Sequence, residues 1–186
     1  MSQTAVGRDD VVTILIQQHQ ELRALFLVLD DAVGDVRRDA FHRLVRLLAV
    51  HETAEAEIVH PAVRGLKGGA AVAAARAAEE HRVTALLSTL DQIGPDAEGF
   101  DTLLMQLRDD VLAHAVHEER EEFPLLRAAC GPARLHAMAR AVRAAEAIAP
   151  TRPHPGVQGA KANLLLGPPL AIMDRARDLI RQALGR

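Results

Sequence analysis

Apolar residues recur along the chain at helical spacing, in blocks separated by short stretches rich in Gly, Pro and polar residues. Residues 10–33 place Leu15, Leu22 and Phe26 at offsets of −4, +3 and +7 from His19, a stripe that predicts an amphipathic helix stopped by Gly34. A second helix is expected over 37–65, with Leu44, Leu48 and Ile58 at −7, −3 and +7 from His51, ending near GLKGG. A third covers about 70–93 and runs into IGPDAEG, and a fourth covers about 100–128, with Leu107 and Val111 at −7 and −3 from His114, before CGP. Four long helices with short links predict an all-α, up-down-up-down four-helix bundle.

Beyond the bundle, a shorter helix is expected over about 132–148. Residues 150–169 contain five Pro and three Gly, a composition that excludes a regular helix and reads as an extended strap. The last segment, 170–184, repeats Ile172, Ala176, Leu179, Ile180 and Ala183 on one side, as expected of a helix packed on the bundle; the alternative is a dimer contact. The chain thus divides into a bundle over 1–148 and a strap with a C-terminal helix over 149–186.

Composition narrows the class. Apolar residues make up 49% of the 186, with four Phe and no Tyr or Trp, which favours helices over sheets. A net charge of −3 gives no basic field for polyanions, so nucleic acid is not expected as a partner. The N-terminal MSQTAVGRDDVV lacks a basic region followed by an apolar one, and no apolar run could span a bilayer, so the expectation is a soluble, cytoplasmic protein with no membrane contact, as monomer or homodimer. Cys130 is the single cysteine, so a metal site would have to be built from His and carboxylate.

The candidate chemistry is a repeat. HETAEAEIVHPAV begins at His51 and HAVHEEREEFPLL at His114; in each a Glu follows at +4 (Glu55, Glu118) and a Pro at +10 (Pro61, Pro124). Upstream, His19 precedes His51 by 32 residues and His81 precedes His114 by 33. Residues i and i+4 share a helix face, so each His/Glu pair can converge on one point, and a neighbouring helix can add a histidine. His19, His51, Glu55, His81, His114 and Glu118 are therefore the expected metal ligands, with Glu55 and Glu118 placed to bridge two ions roughly 3.5–4 Å apart. A multiply charged cation would balance these buried carboxylates, and the donor set suits iron, manganese or zinc alike. His42, His136 and His154 read as ordinary core or surface histidines, and Glu57, Glu119 and Glu122 as solvated helix charges.

These motifs, over about residues 10–128, resemble the hemerythrin-like HHE cation-binding domain. The resemblance implies a four-helix bundle around two iron ions joined by an oxo or hydroxo bridge, with a small diatomic or peroxide ligand. Oxygen-carrying hemerythrins have HxxxH on the third helix and an aspartate ligand on the fourth; here stand EEHRVTA with His81, and Glu118. The pattern is closer to bacterial, particularly actinobacterial, relatives, which implies reactions with oxygen, hydrogen peroxide or nitric oxide, with catalase- or peroxidase-like detoxification favoured and a non-enzymatic iron, oxygen or redox sensor as the alternative. His60, at a position where some members carry a tyrosine, is a possible further ligand or an outer partner. It stands about 180° from His51 on an ideal helix, and Pro61 is expected to distort the backbone and disfavour αR at His60. His117 and Glu121 can face inward by the helical wheel, although their counterparts Ala54 and Ile58 are not ligand types.

Overall fold

The structure, a computed structural model, describes residues 10–148 and 169–185. Nearly all of the segment expected to be a strap, His154 included, lies outside the described residues. Among those described, the elements are α1 (Val11–Asp31), α2 (Gly34–Ala54), a π-helical turn π1 (Glu55–Val59), α3 (His60–Arg64), α4 (Gly69–Ile93), α5 (Phe100–His117), a second π turn π2 (Glu118–Glu122), α6 (Phe123–Ala129), α7 (Pro132–Ile148) and α8 (Pro169–Ala183), with no strand.

The helices form where apolar stripes can face one another. Asp10 caps α1 by accepting from the Thr13 N–H at 2.7 Å, and Arg127 of α6 donates to the same carboxylate at 3.2 Å, tying the two ends of the bundle sequence together. Helix α1 packs on α2 and α4 on α5, while contacts of α1 with α5 and of α2 with α4 close the four-helix arrangement. Leu15, Leu22, Leu44, Leu48, Leu90 and Leu107 fill its interior, and Phe41 meets Phe100 edge to face at 5.0 Å.

The turn between α3 and α4 requires glycine for two reasons. Gly68 has φ +79°, a conformation L side chains rarely adopt, and a Cβ on Gly69 would stand 1.9 Å from the Val63 carbonyl oxygen. Helix α8 lies against α2 and α7, burying Ile172, Ala176 and Ile180; Leu179 is half-buried and Ala183 exposed.

Candidate metal centre

The two HxxxE motifs end where their helices change pitch. The His60 N–H bonds to the Glu55 carbonyl and the Phe123 N–H to that of Glu118, each an i to i−5 step. One extra residue in a turn rotates all that follows back by about 100°, which moves His60 from about 180° to about 80° of His51, and Glu122 from about 80° to about −20° of His114. His60 and Glu122 are accordingly buried. The expectation that Pro61 would push His60 out of the αR region is not met: His60 has φ −57° and ψ −43°, and the π turn takes up the irregularity instead. Pro61 and Pro124 have no N–H to donate, so the ladder has a gap at each junction in any case.

Two groups of ligand-type side chains converge inside the bundle. His19, His51, Glu55 and Glu118 each offer an atom within 4.8 Å of the others, and Glu55, Glu80 and His114 do the same, with Glu55 common to both. The Nε2 of His19 lies 3.2 Å from that of His51 and 3.2 Å from Glu118 Oε2. His114 Nε2 lies 3.6 Å from Glu55 Oε2 and 3.5 Å from Glu118 Oε1. Both oxygens of Glu55, Oε1 of Glu118 and Nε2 of His114 are buried with no hydrogen-bond partner among the described residues. Polar atoms buried this way are costly unless something positive lies among them, so the donors fit a bound metal cation.

The other ring nitrogens are held from outside. His51 Nδ1 bonds Gln18 Oε1 at 2.7 Å, and Gln18 Nε2 donates to Glu146 of α7 at 2.6 Å. His114 Nδ1 bonds Glu79 Oε2 at 2.9 Å, while Arg76 donates to Glu79 Oε1 at 2.8 Å. His19 Nδ1 bonds Glu119 at 2.8 Å, and its ring stacks on Phe123 with centroids 5.8 Å apart. Each imidazole therefore has a fixed ring plane, with Nε2 directed to the centre.

Five of the six expected ligands meet here, and His81 does not. His81 is exposed, with its Nδ1 donating to the Ala77 carbonyl at 3.3 Å. Glu80 takes the inward position, because α4 buries Ala73, Arg76, Glu80, Val83, Leu87 and Leu90, a stripe that passes through 80 and not 81. Of the further candidates, His60 is buried and bonded through Nδ1 to Glu122 at 2.8 Å and through Nε2 to Glu80. His117 is 44% exposed and bonds Glu79, and Glu121 is 53% exposed and accepts from Arg76. The charges expected to be solvated are engaged: Glu119 holds His19, Glu57 accepts from Arg177 and Arg181 of α8, and Glu122 is fully buried. Glu52, which the repeat did not single out, is buried with Oε2 unpartnered.

Burial and crowding set the charge states. Burial, then the Glu55 charge, raises Glu118 to about 8 despite His114 and His19. Burial and Glu80 likewise raise Glu55 and Glu52, while burial and the neighbouring His19 and His114 lower His51. Burial opposes a charge on His60, but its hydrogen bonds to Glu122 and Glu80 outweigh that and lift it to about 11.

Residues 10–126 match the family described as "Hemerythrin HHE cation binding domain". Among solved structures, the chain is similar to a hemerythrin HHE cation-binding domain-containing protein from Mycobacterium kansasii, with a TM-score of 0.63 at 18% identity, over 94% of this chain and 98% of that one. No curated protein sequence matches. At that identity the structural likeness speaks for the fold, an all-α helical bundle.

Proposed function

The chain belongs to the hemerythrin HHE cation-binding domain family, and on that premise we propose that it is a non-haem diiron protein that reacts with oxygen, hydrogen peroxide or nitric oxide, with peroxide decomposition favoured. The single observation that carries this reading is the set of buried, unpartnered oxygens, both of Glu55 and Oε1 of Glu118, facing His114 Nε2, beside the paired Nε2 atoms of His19 and His51. In this reading His19 and His51 would hold one ion and His114 and Glu80 the other, with Glu55 and Glu118 available to both. A bound iron pair supplies exchangeable coordination positions and the electrons for redox chemistry. Gln18, Glu79 and Glu119 orient the three imidazoles, and the buried Phe123, stacked on the His19 ring, excludes water from one flank. The charged His60 holds a proton between Glu80 and Glu122.

Reconstituted protein is expected to hold two iron ions per chain by mass spectrometry and to evolve oxygen from peroxide. His51→Ala and His114→Ala are each expected to lower that rate at least a hundredfold. Iron that stays well below two per chain after reconstitution would sink the diiron reading, and turnover that survives both substitutions would detach the activity from this centre.

A sensor is the second reading, favoured by one contact. Arg177 and Arg181 of α8 both donate to Glu57, two residues past Glu55 in π1. Occupancy of the centre would then reach α8 through that turn. Hydrogen exchange over residues 169–183 is expected to slow on iron loading under this reading; exchange that is unchanged removes it.

A further inference from the structure

The three imidazoles of the centre are not held in equivalent ways. Glu119 and Glu79 meet Nδ1 of His19 and of His114 with carboxylates at 2.8 and 2.9 Å. A carboxylate accepts through either oxygen, so both rings keep their proton on Nδ1 however those side chains turn. His51 instead meets the buried side-chain amide of Gln18, at 2.7 Å. An amide has an accepting end and a donating end, so its orientation decides which ring nitrogen of His51 is free to bind a cation. With Oε1 toward the ring, the proton sits on Nδ1 and the Nε2 lone pair points to the centre. With the amide reversed, Nδ1 must accept and the proton moves to Nε2, where it can bond His19 Nε2, 3.2 Å away. In the metal-free chain that second state gains a bond to His19, so something beyond Gln18 has to reject it.

Glu146 does so. Its Oε1 accepts from Gln18 Nε2 at 2.6 Å, and reversing the amide would press the Gln18 oxygen against a carboxylate with no proton to give. Glu146 stands on α7, beyond the residues 10–126 that match the family. We propose that Glu146 is a positioning residue of the centre: acting through Gln18, it fixes the tautomer of His51, so that a helix outside the four-helix bundle sets whether one ligand is ready for a cation. The effect on iron rests on the reading of His51 as a ligand; the effect on the tautomer does not.

The test reads the tautomer from the nitrogen chemical shifts of the His51 ring in full-length, metal-free protein, beside the iron held after loading. Wild type and Glu146→Gln, which keeps an acceptor for the Gln18 N–H, are expected to show the proton on Nδ1. Glu146→Ala removes the support without adding charge and is expected to show both tautomers. Glu146→Lys can only donate; it is expected to reverse the amide, move the proton to Nε2 and weaken iron retention by about tenfold or more, the scale for partners of ligating histidines. Adding Gln18→Glu to Glu146→Lys gives His51 an acceptor that needs no orienting, and is expected to restore both the tautomer and the iron. A ring that keeps its proton on Nδ1 in the Ala and Lys variants would overturn the proposal. So would a double variant that recovers neither property while circular dichroism shows it fully helical. Tautomers that follow the expected pattern in a chain that never holds iron would leave Glu146 in its role and overturn the diiron reading instead.

Discussion

At the scale of single residues, the centre turns on whether position 80 or position 81 faces inward, since one step along a helix is about 100° of rotation. The near-equal spacings from His19 to His51 and from His81 to His114 suggested that His81 matches His19. That comparison spans a loop in each half, and loop length is free to vary without moving either helix, so the spacing carries no information on facing. The local stripe does carry it: Val83, Leu87 and Leu90 lie at +3, +7 and +10 from Glu80, all buried. By contrast His51 with Glu55 and His114 with Glu118 were legible, because each pair sits within one helix where i and i+4 share a face. His81→Ala is therefore expected to leave metal content unchanged and stability within about 0.5 kcal/mol, as for other exposed substitutions. Glu80→Ala is expected to cost the second ion. Metal analysis of the two variants side by side checks this; loss of an ion from the His81 variant alone would reverse the assignment.

At the scale of elements, helix boundaries were readable from Gly, Pro and apolar periodicity, while the π turns were not. Nothing in AEIV or EREE differs in composition from α-helical sequence. The turns follow from what must be buried: the added residue in π1 brings His60 inward, and that in π2 brings Glu122 inward, so that the two side chains meet at 2.8 Å. An ideal helical wheel through residues 51–60 consequently places His60 about 180° from His51, and Glu122, expected to be a solvated charge, is buried instead. The junction of α3 and α4 was anticipated from GLKGG, and it fixes how α4 presents Glu80. Gly69→Ala would drive a Cβ into the Val63 carbonyl oxygen, whereas Gly65 has nothing within 4 Å of the corresponding position. The first substitution is expected to destabilise by about 1–3 kcal/mol, the range for forced overpacking, and the second by less than about 1 kcal/mol. Thermal melts of the two variants compare the sites directly, and equal melting temperatures would show that the turn is not a constraint.

At the scale of the whole molecule, the fold surrounds a group of carboxylates that resist ionisation, and its stability must depend on what neutralises them. In the metal-free chain Glu118 titrates at about 8, and Glu55 and Glu52 are also raised above the ordinary carboxylate range. Between pH 6.5 and 8 Glu118 is ionised in the unfolded chain but largely retains its proton when folded, so folding takes up a proton and stability falls as pH rises; the upward shifts of Glu55 and Glu52 have the same sign. His60, raised to about 11, acts in the same direction, because the stability it contributes is complete below its unfolded value of 6.5 and is lost as pH climbs toward 11. His51, lowered by burial, acts only below 6.5, where the unfolded chain binds a proton that the fold excludes. Each proton is worth about 1.4 kcal/mol per pH unit. From Glu118 alone the metal-free protein should therefore lose about 2 kcal/mol between pH 6.5 and 8. A divalent cation replaces those protons, so its stabilising effect should grow over the same interval and its binding should release protons. Calorimetric melts of chelated and metal-loaded protein at the two pH values test this. The gap between their melting temperatures is expected to widen toward pH 8, and a chelated protein that becomes more stable over that interval would show that Glu55 and Glu118 are already ionised in the absence of a metal.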